Sequence, residues 1–92
     1  MLDNKYFTKT ESEQLKRGLK NGGIFLKMVE DSTTPVEIVA SDDNGSWRTI
    51  ETLSQDTTKK IHDIYNNQDK YKAKLESNYR MVSLAWFIVV YG

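Results

Sequence analysis

The sequence contains, at residues 79–92, the stretch YRMVSLAWFIVVYG, in which positions 81–92 carry no charged side chain. A helix that spans a membrane needs about 20 apolar residues, so this run is too short to form one. More than half of its side chains are β-branched or aromatic, which favours a strand. Both alternating sets of side chains are apolar, as in a strand covered on both faces. The pattern predicts a central or doubly covered strand; a buried helix and a strand completed by a second copy are the alternatives.

A helix is predicted at residues 8–23, TKTESEQLKRGLKNGG. Two overlapping capping boxes can begin this helix, formed by the pairs Thr8–Glu11 and Thr10–Glu13. Leu15 and Leu19, four residues apart, give it a narrow apolar stripe. The Asn-Gly-Gly sequence at residues 21–23 ends the helix, because glycine readily adopts the left-handed conformation found there.

A strand and a β-hairpin are predicted next. In residues 23–31, GIFLKMVED, one side of the strand carries Ile24, Leu26 and Met28, and the other carries Phe25, Lys27 and Val29. Residues 36–53, VEIVASDDNGSWRTIETL, contain Asn44-Gly45, a strong hairpin signal because both residues accept positive φ. Two registers fit this signal. A two-residue turn pairs Val39 with Ile50, and a three-residue turn with Gly45 in a bulge pairs Ile38 with Ile50.

Residues 54–79, SQDTTKKIHDIYNNQDKYKAKLESNY, follow a helical spacing of apolar side chains, with Ser54 or Asp56 as the cap. The NNQD sequence at residues 66–69 favours turns, so residues 56–78 form either one helix or two. The predicted order of elements is α-β-β-β-α-β. This order indicates a single α+β domain over residues 1–92, with one mostly antiparallel sheet of about four strands packed by helices.

Residue types that carry common enzyme chemistry are scarce in this sequence. It contains no cysteine and a single histidine, His62, which excludes a histidine or cysteine cluster for zinc and a Cys-His catalytic pair. We expect His62 to face solvent on the polar flank of its helix. Asp42 and Asp43 lack the spacing of a calcium loop and suit a turn better. We therefore expect no enzyme activity, no metal and no cofactor.

Charge is unevenly distributed, although thirteen basic residues balance thirteen acidic ones. Residues 28–56 hold seven acidic residues against one basic, whereas residues 1–27 and 57–92 each hold six basic against three acidic. An acidic hairpin is suited to a basic partner surface, and Trp and Arg often dominate interfaces. The leading hypothesis is a non-catalytic protein-binding module with the candidate residues Glu37, Asp42, Asp43, Trp47 and Arg48. Ordinary solvation, with the hairpin paired to its own helices, is the competing explanation.

Several properties of the partner and location are also expected. A short, cysteine-free chain resembles in type the small stoichiometric inhibitors made by phages and mobile elements. No basic segment leads into an apolar stretch near the first residues, so we expect a cytoplasmic protein and no membrane partner. A homodimer is one way to cover the apolar run. The alternative function is a nucleic-acid-binding accessory protein that uses basic helices, with the candidate residues Lys16, Arg17, Lys20, Lys59, Lys60, Lys70 and Lys74.

Overall fold

The computed structural model describes residues 6–29, 31, 33–66 and 79–91. Its elements are, in chain order, α1 (Lys9–Lys20), β1 (Phe25–Val29), β2 (Glu37–Ser41), β3 (Trp47–Thr52), α2 (Gln55–Asn66), β4 (Tyr79–Ser83) and α3 (Leu84–Tyr91). The four strands form an antiparallel sheet in the order β3-β2-β1-β4. The predicted α+β class and the order α-β-β-β-α-β are confirmed, and α3 is an additional helix.

Helix α1 begins with a capping box formed by Thr8 and Glu11, the earlier of the two predicted pairs. The Thr8 hydroxyl accepts a hydrogen bond from the backbone N–H of Glu11 at 3.2 Å. The Glu11 carboxylate accepts one from the backbone N–H of Thr8 at 2.7 Å. Together these bonds satisfy two donors that have no partner within the helix. At the other end the chain turns at Gly22, whose φ of 98° favours glycine.

Helix α2 is capped by Ser54, one of the two predicted caps. The Ser54 hydroxyl accepts a hydrogen bond from the backbone N–H of Thr57 at 3.2 Å. Thr57 and Thr58 are both fully buried, and the Thr58 hydroxyl accepts a hydrogen bond from the N–H of Val36 at 2.9 Å. This bond joins the helix to the chain just before β2. Whether a second helix follows α2 concerns residues 67–78, which lie outside the described residues.

The β2–β3 hairpin has a three-residue loop that ends at Gly45. Gly45 has a φ of 81°, the left-handed conformation that such a loop requires. The loop is closed by a hydrogen bond of 2.9 Å from the N–H of Asp42 to the carbonyl of Ser46. Next to the loop, Ser41 pairs with Trp47, which is the register that a three-residue turn produces.

A β-bulge then shifts the register of the hairpin by one residue. Val39 pairs with Thr49 but Ile38 pairs with Glu51, so Ile50 is the extra residue. The predicted pairs Val39–Ile50 and Ile38–Ile50 are therefore both wrong. The bulge places two consecutive side chains on the same side of β3. Ile50 can therefore pack against the core while Glu51 reaches helix α1.

Strand β4 is an edge strand, and the apolar run leaves the sheet after Ser83. Ser83 pairs with Phe25, the first residue of β1, and the N–H of Leu84 donates to the carbonyl of Ile24 at 3.1 Å. Beyond this point β1 offers no further backbone partner. The following residues therefore satisfy their hydrogen bonds within helix α3. The prediction of an inner strand over residues 81–91 is wrong, both in its position in the sheet and in its extent.

The sequence contained a local signal for this change, because Ser83 is the one hydroxyl-bearing side chain among the aliphatic and aromatic residues 81–90. Its hydroxyl accepts a hydrogen bond from the backbone N–H of Trp86 at 3.3 Å, as an N-cap does. The alternative of a buried helix is thus closer to the structure for residues 84–91. None of the described helices has the length and apolar character needed to cross a membrane.

The three described helices all contribute to one core on the same side of the sheet. Phe87 of α3 is fully buried near its centre. Its ring centroid lies 5.8 Å from that of Phe7, 6.1 Å from that of Tyr65 and 5.0 Å from that of Tyr91. The sheet contributes side chains that belong to this core or pack against it, among them Leu26, Met28, Ile38 and Val82. The inner half of α3 therefore supplies much of the apolar area that the fold buries.

Candidate functional site

The sheet has a second face, on which none of the described helices packs, and we call it the open face. Strand alternation and register place on this face Phe25, Lys27, Val29, Glu37, Val39, Ser41, Trp47, Thr49, Thr52, Tyr79, Met81 and Ser83. In an antiparallel sheet such a face is normally polar. Here the face carries three aromatic rings, which makes it a candidate binding surface.

Trp47 and Phe25 form the apolar centre of the open face. Their ring centroids lie 5.7 Å apart with the planes at 76°, an edge-to-face arrangement that aromatic pairs prefer. Trp47 nevertheless remains 50% exposed. Val39, on the strand between them, is only 2% exposed. The side chains of this face therefore cover Val39 but leave half of the indole accessible to solvent.

A second aromatic contact lies on the β1–β4 side of the open face. The Nζ atom of Lys27 lies 5.4 Å from the ring centroid of Tyr79, within the range of a cation–π contact. Tyr79 is 42% exposed. Lys27 lies opposite Glu37 in the register, and the Glu37 carboxylate accepts a hydrogen bond from the Thr49 hydroxyl at 3.3 Å. The open face thus carries, beside its three rings, the positively charged Lys27 and the negatively charged Glu37.

Sequence reasoning named Trp47 and Glu37 as candidate binding residues but missed Phe25, Lys27 and Tyr79. Part of the signal was present, because the alternation in residues 23–31 already placed Phe25 and Lys27 on the same side of their strand. The missing information was the strand order. Trp47 of β3 contacts Phe25 of β1 across the intervening strand β2, and Tyr79 of β4 contacts Lys27 of β1. Neither contact can be predicted from the sequence of one strand.

The other predicted binding residues do not share the open face. The Oδ1 atom of Asp42 accepts hydrogen bonds from the backbone N–H groups of Asn44 at 2.8 Å and Ser46 at 2.9 Å, so this carboxylate holds the turn. Asp43 is exposed in the loop. Arg48 lies on the helix side of β3. The candidate residues are thus divided among the open face, the turn and the helix side of the hairpin.

Two of the predicted nucleic-acid-binding cations form ion pairs within the protein. Arg17 Nη2 lies 2.6 Å from Glu51 Oε2, and Lys60 Nζ lies 2.6 Å from Glu11 Oε1. The hydrogen bond from Arg17 lowers the pKa of Glu51, and the same bond raises the pKa of Arg17. The acidic hairpin is therefore paired in part with its own helix. The other candidate cations are Lys16, Lys20 and Lys59, which are exposed, and Lys70 and Lys74, which lie outside the described residues.

His62 is partly buried, so the prediction that it faces solvent is wrong. Its Nε2 atom is buried and has no hydrogen-bond partner in the part of the chain that the structure describes. Burial lowers the pKa of His62, while the carboxylates of Asp31 and Asp63 act in the opposite direction. Protonation of His62 is therefore less favourable in the folded protein than in the unfolded chain. Within the described ranges, no group of three or more His, Cys, Asp or Glu side chains is placed to hold a metal ion.

Comparison with known proteins gave no match to this chain among family models, curated proteins or solved structures. The interpretation of its function therefore depends on the open face and on the charges around it.

Proposed function

We propose that the protein is a non-catalytic protein-binding module whose contact surface is the open face, centred on Trp47 and Phe25. The supporting observation is the half-exposed indole of Trp47, held against Phe25 by the sheet. Tryptophan is among the residue types that contribute most to affinity when a partner covers them. A ring that is already held in position loses little conformational entropy on binding. The ring pair is thus suited to anchor a partner.

The partner that fits this surface is a protein with an apolar centre and a basic rim. Glu37 lies on the open face and Asp43 in the adjoining turn, and neither forms an ion pair with another described residue. Opposite charges on a partner would speed its approach and set its orientation. Two predictions from the sequence accompany this proposal. One is a role as a stoichiometric inhibitor of the phage or mobile-element type, and the other is a cytoplasmic location.

The alternative, a nucleic-acid-binding accessory protein, has less support. Arg17 and Lys60 are already paired with carboxylates of the protein, which lowers the number of cations available for phosphates. The rings of the open face resemble a platform on which single-stranded bases stack. However, Glu37 lies on the same face and Asp43 in the adjoining turn, and both would repel phosphates.

The test is capture of the partner by the tagged protein in the cells that produce it, with variants that differ in one exposed apolar side chain. Trp47→Ala removes the anchor, and Leu19→Ala, on the exposed side of α1 and 38% exposed, is the control. We expect the wild type and Leu19→Ala to capture the same protein, and Trp47→Ala to capture at least about tenfold less of it. With the purified partner, Trp47→Ala should weaken affinity by roughly thirtyfold, or about 2 kcal/mol, mainly through faster dissociation.

A charge reversal in the loop tests the acidic rim separately. Asp43→Lys should slow association with the purified partner, and the effect should shrink at high salt because screening weakens steering. Circular dichroism spectra identical to that of the wild type are the control for folding. Capture by Trp47→Ala at the wild-type level would contradict the proposal. Retention on DNA that is lost steeply with rising salt would favour the nucleic-acid alternative.

A further inference from the structure

Helix α3 presents a second apolar surface, separate from the open face, on its side away from the core. We call it the α3 surface and define it by Ala85, Trp86, Val89 and Val90, which helical spacing places on one side of the helix. Val89 is 85% exposed, Val90 47% and Trp86 39%. No residue of α3 is charged. A helix that is apolar on all sides is normally covered on all sides, but the described residues cover α3 on one side only.

We propose that the α3 surface binds a second copy of this chain, with the two α3 helices packed antiparallel across a twofold axis that passes near Val89. In such an isologous contact each residue meets the reciprocal residue of the other copy. Val89 is the most exposed large side chain of the stripe and would pack against its own equivalent. Trp86 and Val90, on either side of Val89, would exchange contacts with Val90 and Trp86 of the second copy.

The chemistry of the surface favours a second copy over a lipid bilayer. Helices that lie on membranes usually carry Lys and Arg along the polar flanks of the apolar stripe. Helix α3 has no such residue, and its inner side is occupied by the core residues Leu84, Phe87 and Tyr91. An uncharged surface binds best to another uncharged apolar surface, because charged groups lose hydration without gaining a partner. The α3 surface of a second copy meets this requirement without any unpaired charge.

The size of the surface predicts a weak dimer. Tyr6 adjoins it through Tyr91, whose ring packs edge-on against Tyr6 at 5.2 Å and against Trp86 at 6.0 Å, while 45% of Tyr6 stays exposed. With this extension the exposed apolar area is on the order of 400 Å² in each copy, in the range where a patch usually has a function. A standard stable interface buries about 800 Å² in each partner. We therefore expect dissociation constants in roughly the tens of micromolar.

Sedimentation velocity over a range of about 5–500 µM tests the dimer. The wild type should shift from monomer to dimer across this range, and Val89→Asp should stay monomeric throughout, a weakening of at least about a hundredfold. Trp47→Ala, on the open face, should dimerise like the wild type, so this result and the partner test above can fail independently. A wild type that stays monomeric at every concentration would overturn the proposal, as would a dimer lost in Trp47→Ala but kept in Val89→Asp.

A cysteine variant tests the position of the twofold axis directly, because the natural sequence contains no cysteine. Val89→Cys should form a disulfide-linked dimer rapidly under mild oxidation, since the two equivalent positions meet at the axis. Leu19→Cys, at an exposed site on α1, is the matched control and should cross-link more slowly. Equal rates for both variants would overturn the assigned geometry. Co-sedimentation of the wild type with phosphatidylcholine vesicles, lost in Val89→Asp, would instead identify lipid as the occupant.

Discussion

The ammonium group of Lys60 on α2 lies 2.6 Å from the carboxylate Oε1 atom of Glu11 on α1, so one ion pair joins the two helices. The same carboxylate accepts the backbone N–H of Thr8 in the capping box, and its Oε2 atom accepts the hydroxyl of Thr57 at 3.2 Å. The Glu11 side chain is only 12% exposed. It therefore caps one helix and binds two side chains of another at a site largely shielded from water.

Replacing Glu11 should cost more stability than replacing Lys60. Glu11→Ala removes the cap contact and the bonds to α2 together, so we expect the free energy of unfolding to fall by about 1–2 kcal/mol. Lys60→Met removes only the ion pair, and less than about 1 kcal/mol should be lost. Urea unfolding measures both changes. Glu13→Ala, an exposed position on the same helix, is the control, and equal losses for Glu11→Ala and Glu13→Ala would disprove the role of Glu11.

The stability of the protein should fall in acid partly through Glu11. Burial raises the pKa of Glu11, but the bonds from Lys60, the Thr8 backbone and Thr57 together place it below the ordinary value of 4.5. A lowered pKa contributes stability that is present above about pH 4.5 and is lost as pH falls through the folded-state pKa. Thermal midpoints between about pH 5 and 3 should decline less steeply in Glu11→Gln than in the wild type. Parallel declines would contradict this expectation.

A separate pH dependence should come from His62. Burial is the main influence on its pKa and places it below the ordinary value of 6.5, so the unfolded chain takes up a proton more readily than the folded protein. Stability should therefore be full above about pH 6.5 and decrease as pH falls toward the folded-state pKa. His62→Gln should remove this slope between about pH 7.5 and 5.5. Since the chain has one histidine, a slope that persists in His62→Gln must have another origin and would refute the prediction.

The left-handed conformation of Gly45 predicts the effect of substitutions in the loop. A Cβ built at Gly45 has no atom within 4 Å, so a larger side chain meets no steric obstacle and any loss comes from the backbone. Gly45→Val should lower the free energy of unfolding by about 1–3 kcal/mol, because a β-branched residue is strained at positive φ. Gly45→Asn should lose much less, because asparagine tolerates this conformation. Equal midpoints for the two variants in thermal unfolding would rule out backbone strain as the cause.

The two neighbouring aspartates of the loop should respond differently to charge reversal. Asp42→Lys breaks the two hydrogen bonds from backbone N–H groups of the turn and should cost about 1–2 kcal/mol. Asp43→Lys changes an exposed side chain and should stay within about 0.5 kcal/mol of the wild type. Urea unfolding compares them directly. If both variants are equally stable, the Asp42 carboxylate does not hold the turn. Because charge reversal at Asp43 is expected to leave the fold intact, Asp43 is the correct position for binding tests.

The sequence by itself determined the features that form within a few neighbouring residues. The capping box at Thr8 and Glu11, the glycine that ends α1, the loop glycine Gly45 and the Ser54 cap all depend on local backbone angles and on hydrogen bonds over three or four positions. Residue type and spacing therefore reduced these features to few alternatives: two capping boxes for α1, two caps for α2 and two registers for the hairpin. The alternation of the strand at residues 23–31 likewise separated its two faces, without showing which of them packs against the core. Together these features were sufficient to predict the α+β class and the order of helices and strands along the chain.

Only the tertiary structure decided how long the final strand is and which side chains meet on the open face. Residues 84–91 are suited by composition to a strand, but β1 begins at Phe25 and offers no backbone partner beyond Ile24, so they form a helix instead. The bulge at Ile50 and the contact between Trp47 and Phe25 likewise depend on how the strands pair in the sheet. Hydrogen-bond pairing between strands depends on the length, order and offset of segments far apart in the sequence, and no single segment contains that information.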